Sequence, residues 1–172
     1  MCSSDLRLVK GTAVYTAAFT PPTAPLTAIT NTSLLLSYTN GGIIDNAMSN
    51  DLETVGNAQI STTQSKFGGA SIYLDGTGDW VTSVAKPWMN FGTSDFTIET
   101  WIRFNSVSTT QMIVSANYNA NTGAGGWAVL YRQDNTTLKF TCGSNVSYEK
   151  TWSPSANTWY HIDRKSTRLN SI

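Results

Sequence analysis

Apolar and polar residues alternate in short runs along most of this chain, and the three-to-four spacing of a helix is almost absent. Runs with a two-residue period occupy 34–38, 58–61, 71–74, 80–84, 96–104, 111–115, 127–133, 137–142, 147–151 and 159–162. Each is of strand length, and turn chemistry separates them. Asn40-Gly41-Gly42, Asp75-Gly76-Thr77-Gly78-Asp79, the glycine-rich run from Asn121 to Gly126, and Asp134-Asn135 all favour reversal of the chain. Residues 46–55 alone could hold a turn of helix, and their Asn, Ser and Asp content favours a loop.

The longest run fixes a register. Phe96, Ile98, Ile102 and Phe104 share one face with Thr100, while Thr97, Glu99, Trp101 and Arg103 share the other. The first face predicts the core, where Ile72, Leu74, Phe96, Ile98, Ile102, Phe104 and Ile113 are expected to be buried together. Many short strands, each with one apolar face, predict an all-β protein, a two-sheet antiparallel sandwich. Composition agrees. With 13% charged residues, 40% hydrophobic residues and 13 glycines, the chain has the profile of a turn-rich β-protein. Formal net charge is +0, so no basic patch points to nucleic acid, and no apolar run reaches the roughly 20 residues of a membrane span. Of the two cysteines, Cys142 lies in a period-two strand and is read as a small buried apolar residue.

Three motifs go further. Lys66-Phe67-Gly68-Gly69-Ala70-Ser71-Ile72-Tyr73-Leu74-Asp75-Gly76, then Asp95-Phe96-Thr97-Ile98-Glu99-Thr100-Trp101-Ile102-Arg103-Phe104, then Asn157-Thr158-Trp159-Tyr160-His161-Ile162 resemble the signature of the laminin-G-like, concanavalin A-like jelly-roll module. The resemblance spans 32–162. It implies a jelly-roll sandwich, truncated at its C-terminal end, that binds sugars, proteins or calcium, or only packs. Upstream, Arg7 to Thr16 followed by Phe19-Thr20-Pro21-Pro22 resembles the closing strand and exit of the same module in tandem phage-type structural proteins, which makes 7–22 the tail of a preceding module. Residues 23–31, with Pro25, then read as a stiff Pro-rich linker.

Both ends resemble the translation of a common sequencing adapter, over 1–6 and over 163–172. They are read as scars and are expected to be irregular, because neither was selected to pack on this core. The strand lost downstream leaves an edge near 34–38, and 8–14 is expected to pair there as a surrogate.

Catalysis finds little support in the residues. Glucanases of this fold family use two carboxylates close together on one strand, typically Glu-x-Asp-x-x-Glu. Glu99 has no second acid beside it and is read as solvent-facing next to Arg103. His161 is the sole histidine, so neither a Ser-His-Asp arrangement nor a His-based zinc site is assembled. Calcium has candidate oxygen ligands in Asp45 and Asn46 and in Asp75 and Asp79, although Asp75-Gly76 also serves simply as a turn. Sugar binding would use aromatic platforms, and Trp88, Tyr118, Tyr148 and Trp152 lie in or near loops, whereas Trp101, Trp127, Tyr131 and Trp159 sit on strands where packing is the default. The resemblance therefore implies a non-catalytic recognition or structural module of a phage-like or bacterial multidomain surface protein, extracellular or on a virion. An accessory domain of a glycan-active enzyme and a purely structural spacer are the alternatives.

Overall fold

A computed structural model describes residues 1–39, 42–47, 50–92, 94–118, 126–143 and 146–166, with the side chains of 39, 88, 146 and 166 left aside. Among the described residues there are thirteen strands, β1 Cys2–Lys10, β2 Thr32–Thr39, β3 Gly42–Asp45, β4 Glu53–Val55, β5 Gln59–Ser61, β6 Ser71–Tyr73, β7 Trp80–Thr82, β8 Phe96–Arg103, β9 Gln111–Ala116, β10 Trp127–Arg132, β11 Thr137–Cys142, β12 Val146–Thr151 and β13 Trp159–Ser166, and one short 3-10 turn, Pro87–Met89. Every strand pair is antiparallel. The chain is all-β, as its periodicity predicts. Strand β4 lies in the region 46–55 read as loop and β3 just before it, where no strand is expected, because runs of three or four residues are too short for the alternation to register.

Two compact units divide the chain. One holds Met1–Val84, Phe91–Arg103 and Trp159–Ile172, and the other holds Ala85–Asn90 and Phe104–Thr158. In the first, a sheet runs β13-β8-β1-β2-β3, with β6 joined to the far end of β1 and β5 joined to β6; β4 and β7 form a separate ribbon. The second carries the sheet β12-β11-β10-β9, a meander of consecutive strands.

Register in the first sheet brings Leu6 opposite Thr100, Leu8 opposite Ile98, Leu36 opposite Leu6 and Ile162 opposite Thr100. Leu8, Ile98, Ile102 and Ile162 are buried on this face, each contributing about 1.5–3 kcal/mol by leaving water. Phe96, Phe104 and Ile72 are buried as expected, while Leu74 and Ile113 are only half-buried. Ile113 falls at a bulge where β9 shifts register against β10, and Leu74 lies just past the end of β6.

The ends depart from expectation. Cys2 to Leu6 is not irregular: it forms the first half of β1, buried throughout and paired with β6, β8 and β2. Asp163 to Ser166 continues β13 along β8; residues 167–172 lie outside the described residues. The Cys-Ser-Ser-Asp-Leu stretch has no charge run or proline to prevent it from adding to an open ladder. Of the pairing expected between 8–14 and 34–38, only Leu8 opposite Leu34 is found; most of the rest of the ladder to β2 is made earlier in the chain, by Asp5, Leu6 and Arg7 opposite Ser37, Leu36 and Leu35, and the strand stops at Lys10 rather than at Val14. Gly11, at φ 87, turns the chain out of the sheet.

Residues 11–27 fold back as a strap across the outer face of β1, β8 and β13. Val14 N–H donates to Thr97 Oγ1 at 3.0 Å, Leu26 N–H to Asp5 Oδ2 at 3.0 Å, and Arg7 Nη1 to the Thr27 carbonyl at 2.7 Å. The outer face of β8 is therefore covered too, and Thr97 and Glu99 are as buried as the core.

Candidate functional site

Glu99 sits in the middle of β8 with Arg7 of β1 directly opposite on one side and Asp163 of β13 on the other. The Arg7 guanidinium grips Oε1 through Nε, at 2.7 Å, and Nη2. The Tyr15 hydroxyl, brought down by the strap, donates to Oε2 at 2.8 Å, and His161 Nε2 stands 3.6 Å from the same oxygen. The side chain of Glu99 has no exposed surface. The expectation of a solvent-facing Glu99 beside Arg103 is thus overturned, because alternation assigns a residue to a face without revealing what covers that face.

Electrostatics follow from this packing. Burial pushes the Glu99 carboxyl up, but the contacts with His161 and Tyr15 and the charge of Arg7 outweigh it and hold the group below the usual carboxylate range. Burial, then the bond to Glu99, raises the Tyr15 phenol well above its ordinary value. Asp163 is raised by burial and by facing the Glu99 charge, and its Oδ1 is buried without a hydrogen-bond partner. Two carboxylates pushed apart in acidity can divide acid and base roles. Here both oxygens of Glu99 are engaged and the strap lies over them, so the cluster acts as a cross-link between strap and sheet.

Trp101 is where the three motif segments meet. Lys66 Nζ lies 4.2 Å from the centre of the Trp101 ring system, Phe67 meets the ring edge-on at 5.9 Å, and His161 packs at 5.3 Å. A cation over indole contributes about 0.5–1 kcal/mol at a partly open site. The spacing of these motifs is thereby accounted for by packing on one aromatic side chain.

A second cluster is open to solvent. Asp75 Oδ1 accepts from Thr77 N–H at 2.7 Å and Oδ2 from Asn57 Nδ2 at 2.8 Å; Asp79 Oδ1 accepts from Asn57 N–H at 3.0 Å and Oδ2 from Asp75 N–H at 2.7 Å. The bonds from Asn57 and Thr77 hold the Asp75 carboxyl below its ordinary pKa. All four carboxylate oxygens face N–H donors, which is the chemistry of a braced turn and a poor fit to calcium. Gly56, at φ 70, is required against this turn: a Cβ there would stand 2.5 Å from Asp79 Oδ1 and from the Gly78 carbonyl. Trp80 follows directly, paired with Val55 in the β4–β7 ribbon and 50% exposed. Periodicity places Trp80 on a strand and says nothing of its exposure.

The remaining sequence candidates separate. Asp45 is buried, with Oδ1 accepting from Leu35 N–H at 3.0 Å and Ala47 N–H at 2.9 Å and Oδ2 from Asn50 at 2.7 Å, whereas Asn46 is exposed. Among the described residues no three His, Cys, Asp or Glu side chains gather to hold a metal. Trp152 is half-buried, and its ring packs on Phe104 and Tyr131, each at 5.9 Å. Tyr148 is 57% exposed on β12, and Tyr118 is half-buried beside 119–125, a stretch outside the described residues, as is the side chain of Trp88. Both cysteines are free thiols; Cys2 is buried, whereas Cys142 is half-buried rather than enclosed.

Antiparallel sheets with a buried structural cluster and an exposed aromatic at a braced turn define a β-sandwich binding or structural module. A family model described as the concanavalin A-like lectin/glucanases superfamily, laminin-G type, matches residues 75–162, just over half of the chain, and the chain belongs to this family. No curated protein and no solved structure matches it. Among the described residues no helix is long and apolar enough to cross a membrane.

Proposed function

We propose that the module is a non-catalytic recognition domain that binds glycan across the open face of Trp80, within a phage-like or bacterial multidomain surface protein. The observation that carries this reading is Trp80 itself, half exposed and set directly beside the braced turn. An indole offers a flat apolar face for the C–H side of a sugar, and the turn that ends at Asp79, immediately before it in the chain, is braced by bonds from Asn57 and Thr77 to Asp75. Rigidity of the turn favours binding, because little side-chain entropy remains to be lost. The engaged, covered carboxylate of Glu99 supports a role without chemistry. Tandem repetition of the module and display outside the cell or on a virion extend the same reading.

A glycan array on the full chain tests it, followed by calorimetry on the retained sugars. Trp80→Ala should weaken binding about tenfold, equivalent to about 1.4 kcal/mol. Absence of any retained glycan, or a Trp80→Ala variant that binds as well as the parent, would leave the spacer reading in its place.

A further inference from the structure

The strand β1 and the strap behave as one piece. Arg7 of β1 donates to the Thr27 carbonyl at the far end of the strap, and Asp5 of β1 accepts from Leu26 N–H beside it. These bonds close a loop within residues 1–27. Further ties of that piece run to the rest of the sheet, among them the ladders of β1 to β2, β6 and β8, Tyr15 and Arg7 to Glu99, Val14 to Thr97, and Phe19 against His161 at 5.8 Å, while Lys10 N–H to the Asn31 carbonyl at 3.1 Å and Asn31 Nδ2 to Thr12 Oγ1 at 3.0 Å tie it to the turn that follows.

What joins this piece to its own β2 is short and exposed. Asn31 holds a left-handed conformation at φ 70, and the turn is closed by Thr32 N–H to the Ile29 carbonyl at 3.0 Å and Ile29 N–H to Thr32 Oγ1 at 2.9 Å. The connection from β1 to β2 has 21 residues, where a hairpin between neighbouring strands needs about two to five. Chain connectivity therefore does not force β1 onto its own sheet. The slot between β2 and β8 is read by side chains, above all by the buried Glu99 that demands an arginine at the position of Arg7.

From this we infer that residues 1–27 form an exchangeable arm, which a second copy of the chain accepts in the slot between its β2 and β8, with 28–31 as the pivot. Exchange remakes every ladder and the Arg7–Glu99–Tyr15 cluster between copies and gives up the pivot turn with the bonds of Asn31 to Lys10 and Thr12, so it costs little free energy although β1 must leave the sheet for it to happen. The partner is another copy of this module, and the product is a strand-linked dimer. In a protein with tandem modules the same exchange would fasten one module to the next.

Native mass spectrometry tests this on full-length chains, using mixtures of isotopically light and heavy protein refolded together at high concentration. A mixed dimer should form and persist on dilution, because its release requires β1 to leave the sheet. Asn31→Val opposes the left-handed turn and should raise the dimer fraction about tenfold, whereas Asn31→Gly, which favours that turn, should lower it. Monomer in every sample, a dimer indifferent to position 31, or a dimer that falls apart on dilution would each overturn the inference. If Asn31→Val does not fold, the comparison of Asn31→Gly with the parent decides alone, since an unchanged dimer fraction there also overturns it.

Discussion

Burial at Glu99 makes a single carboxylate the meeting point of β1, β8, β13 and the strap. Glu99→Gln leaves the Arg7 guanidinium buried without its counter-charge and should destabilise the protein by about 3–5 kcal/mol, read as a shift in the urea midpoint. Because the folded-state pKa of Glu99 is depressed, the stability it contributes is present above the ordinary carboxylate value of 4.5 and is lost as pH falls through the lowered folded value. Asp163 runs the other way. With its pKa raised above 3.8, both states are protonated at low pH and nothing is lost; as pH rises through the raised value, the folded state acquires a charge opposite Glu99. Asp163→Asn should therefore stabilise the protein at neutral pH, by less than about 1 kcal/mol since water screens the open side of the group, and the gain should vanish in acid. Denaturant titrations at pH 3 and pH 7 separate the two effects. The sequence placed Glu99 on the correct face and missed its role, because its cover comes from Tyr15, 84 positions away, in a segment that carries no periodicity.

At the level of elements, alternation located most of the ladder and failed where a strand's neighbour lies far away in the chain. β8 was visible from Phe96, Ile98 and Ile102 alone. The position of β1 between β2 and β8 was not, since Leu8 and Val9 fit an edge as well as a centre, and only the pairing of Arg7 with Glu99 distinguishes the two. The Asp75–Asp79 turn was legible as a turn because Asp-Gly chemistry is local, yet its brace, Asn57, is distant in sequence and was not. This brace makes a prediction about glycines. Gly56→Ala should destabilise by about 1–3 kcal/mol, since it adds a clash with the Gly78 carbonyl to an already unfavourable φ. Gly76→Ala, at φ 94 with no atom within 4 Å of the new methyl, should lose only the conformational part. Thermal melts of the two variants side by side give the comparison.

For the whole molecule, the two units differ in how far apart in sequence their partners lie. β9 to β12 pair in succession, each with its neighbour in the chain, whereas β1 pairs with β8 across roughly ninety residues and β8 with β13 across sixty more. Closing long loops before any contact rewards them slows folding. Pulse-labelled hydrogen exchange during refolding should therefore find the amides of β10 and β11 protected before those of β1 and β8. Simultaneous protection would show that the meander cannot form without the longer-range sheet.

The thiol of Cys2 gives this architecture a clock. Its side chain is 2% exposed within β1, while Cys142 is half-buried on β11. Alkylation requires an accessible thiolate, so a reagent can reach Cys2 only while the N-terminal end of β1 is out of the sheet, and Cys142 reports the same reagent's rate at a more open position. When reclosing outpaces the reagent, the ratio of the two rates measures how often the strand leaves; at high reagent concentration, the Cys2 rate levels off at the opening rate itself. A single buried sulfur thus turns the strand's residence time into a number that ordinary mass spectrometry can read.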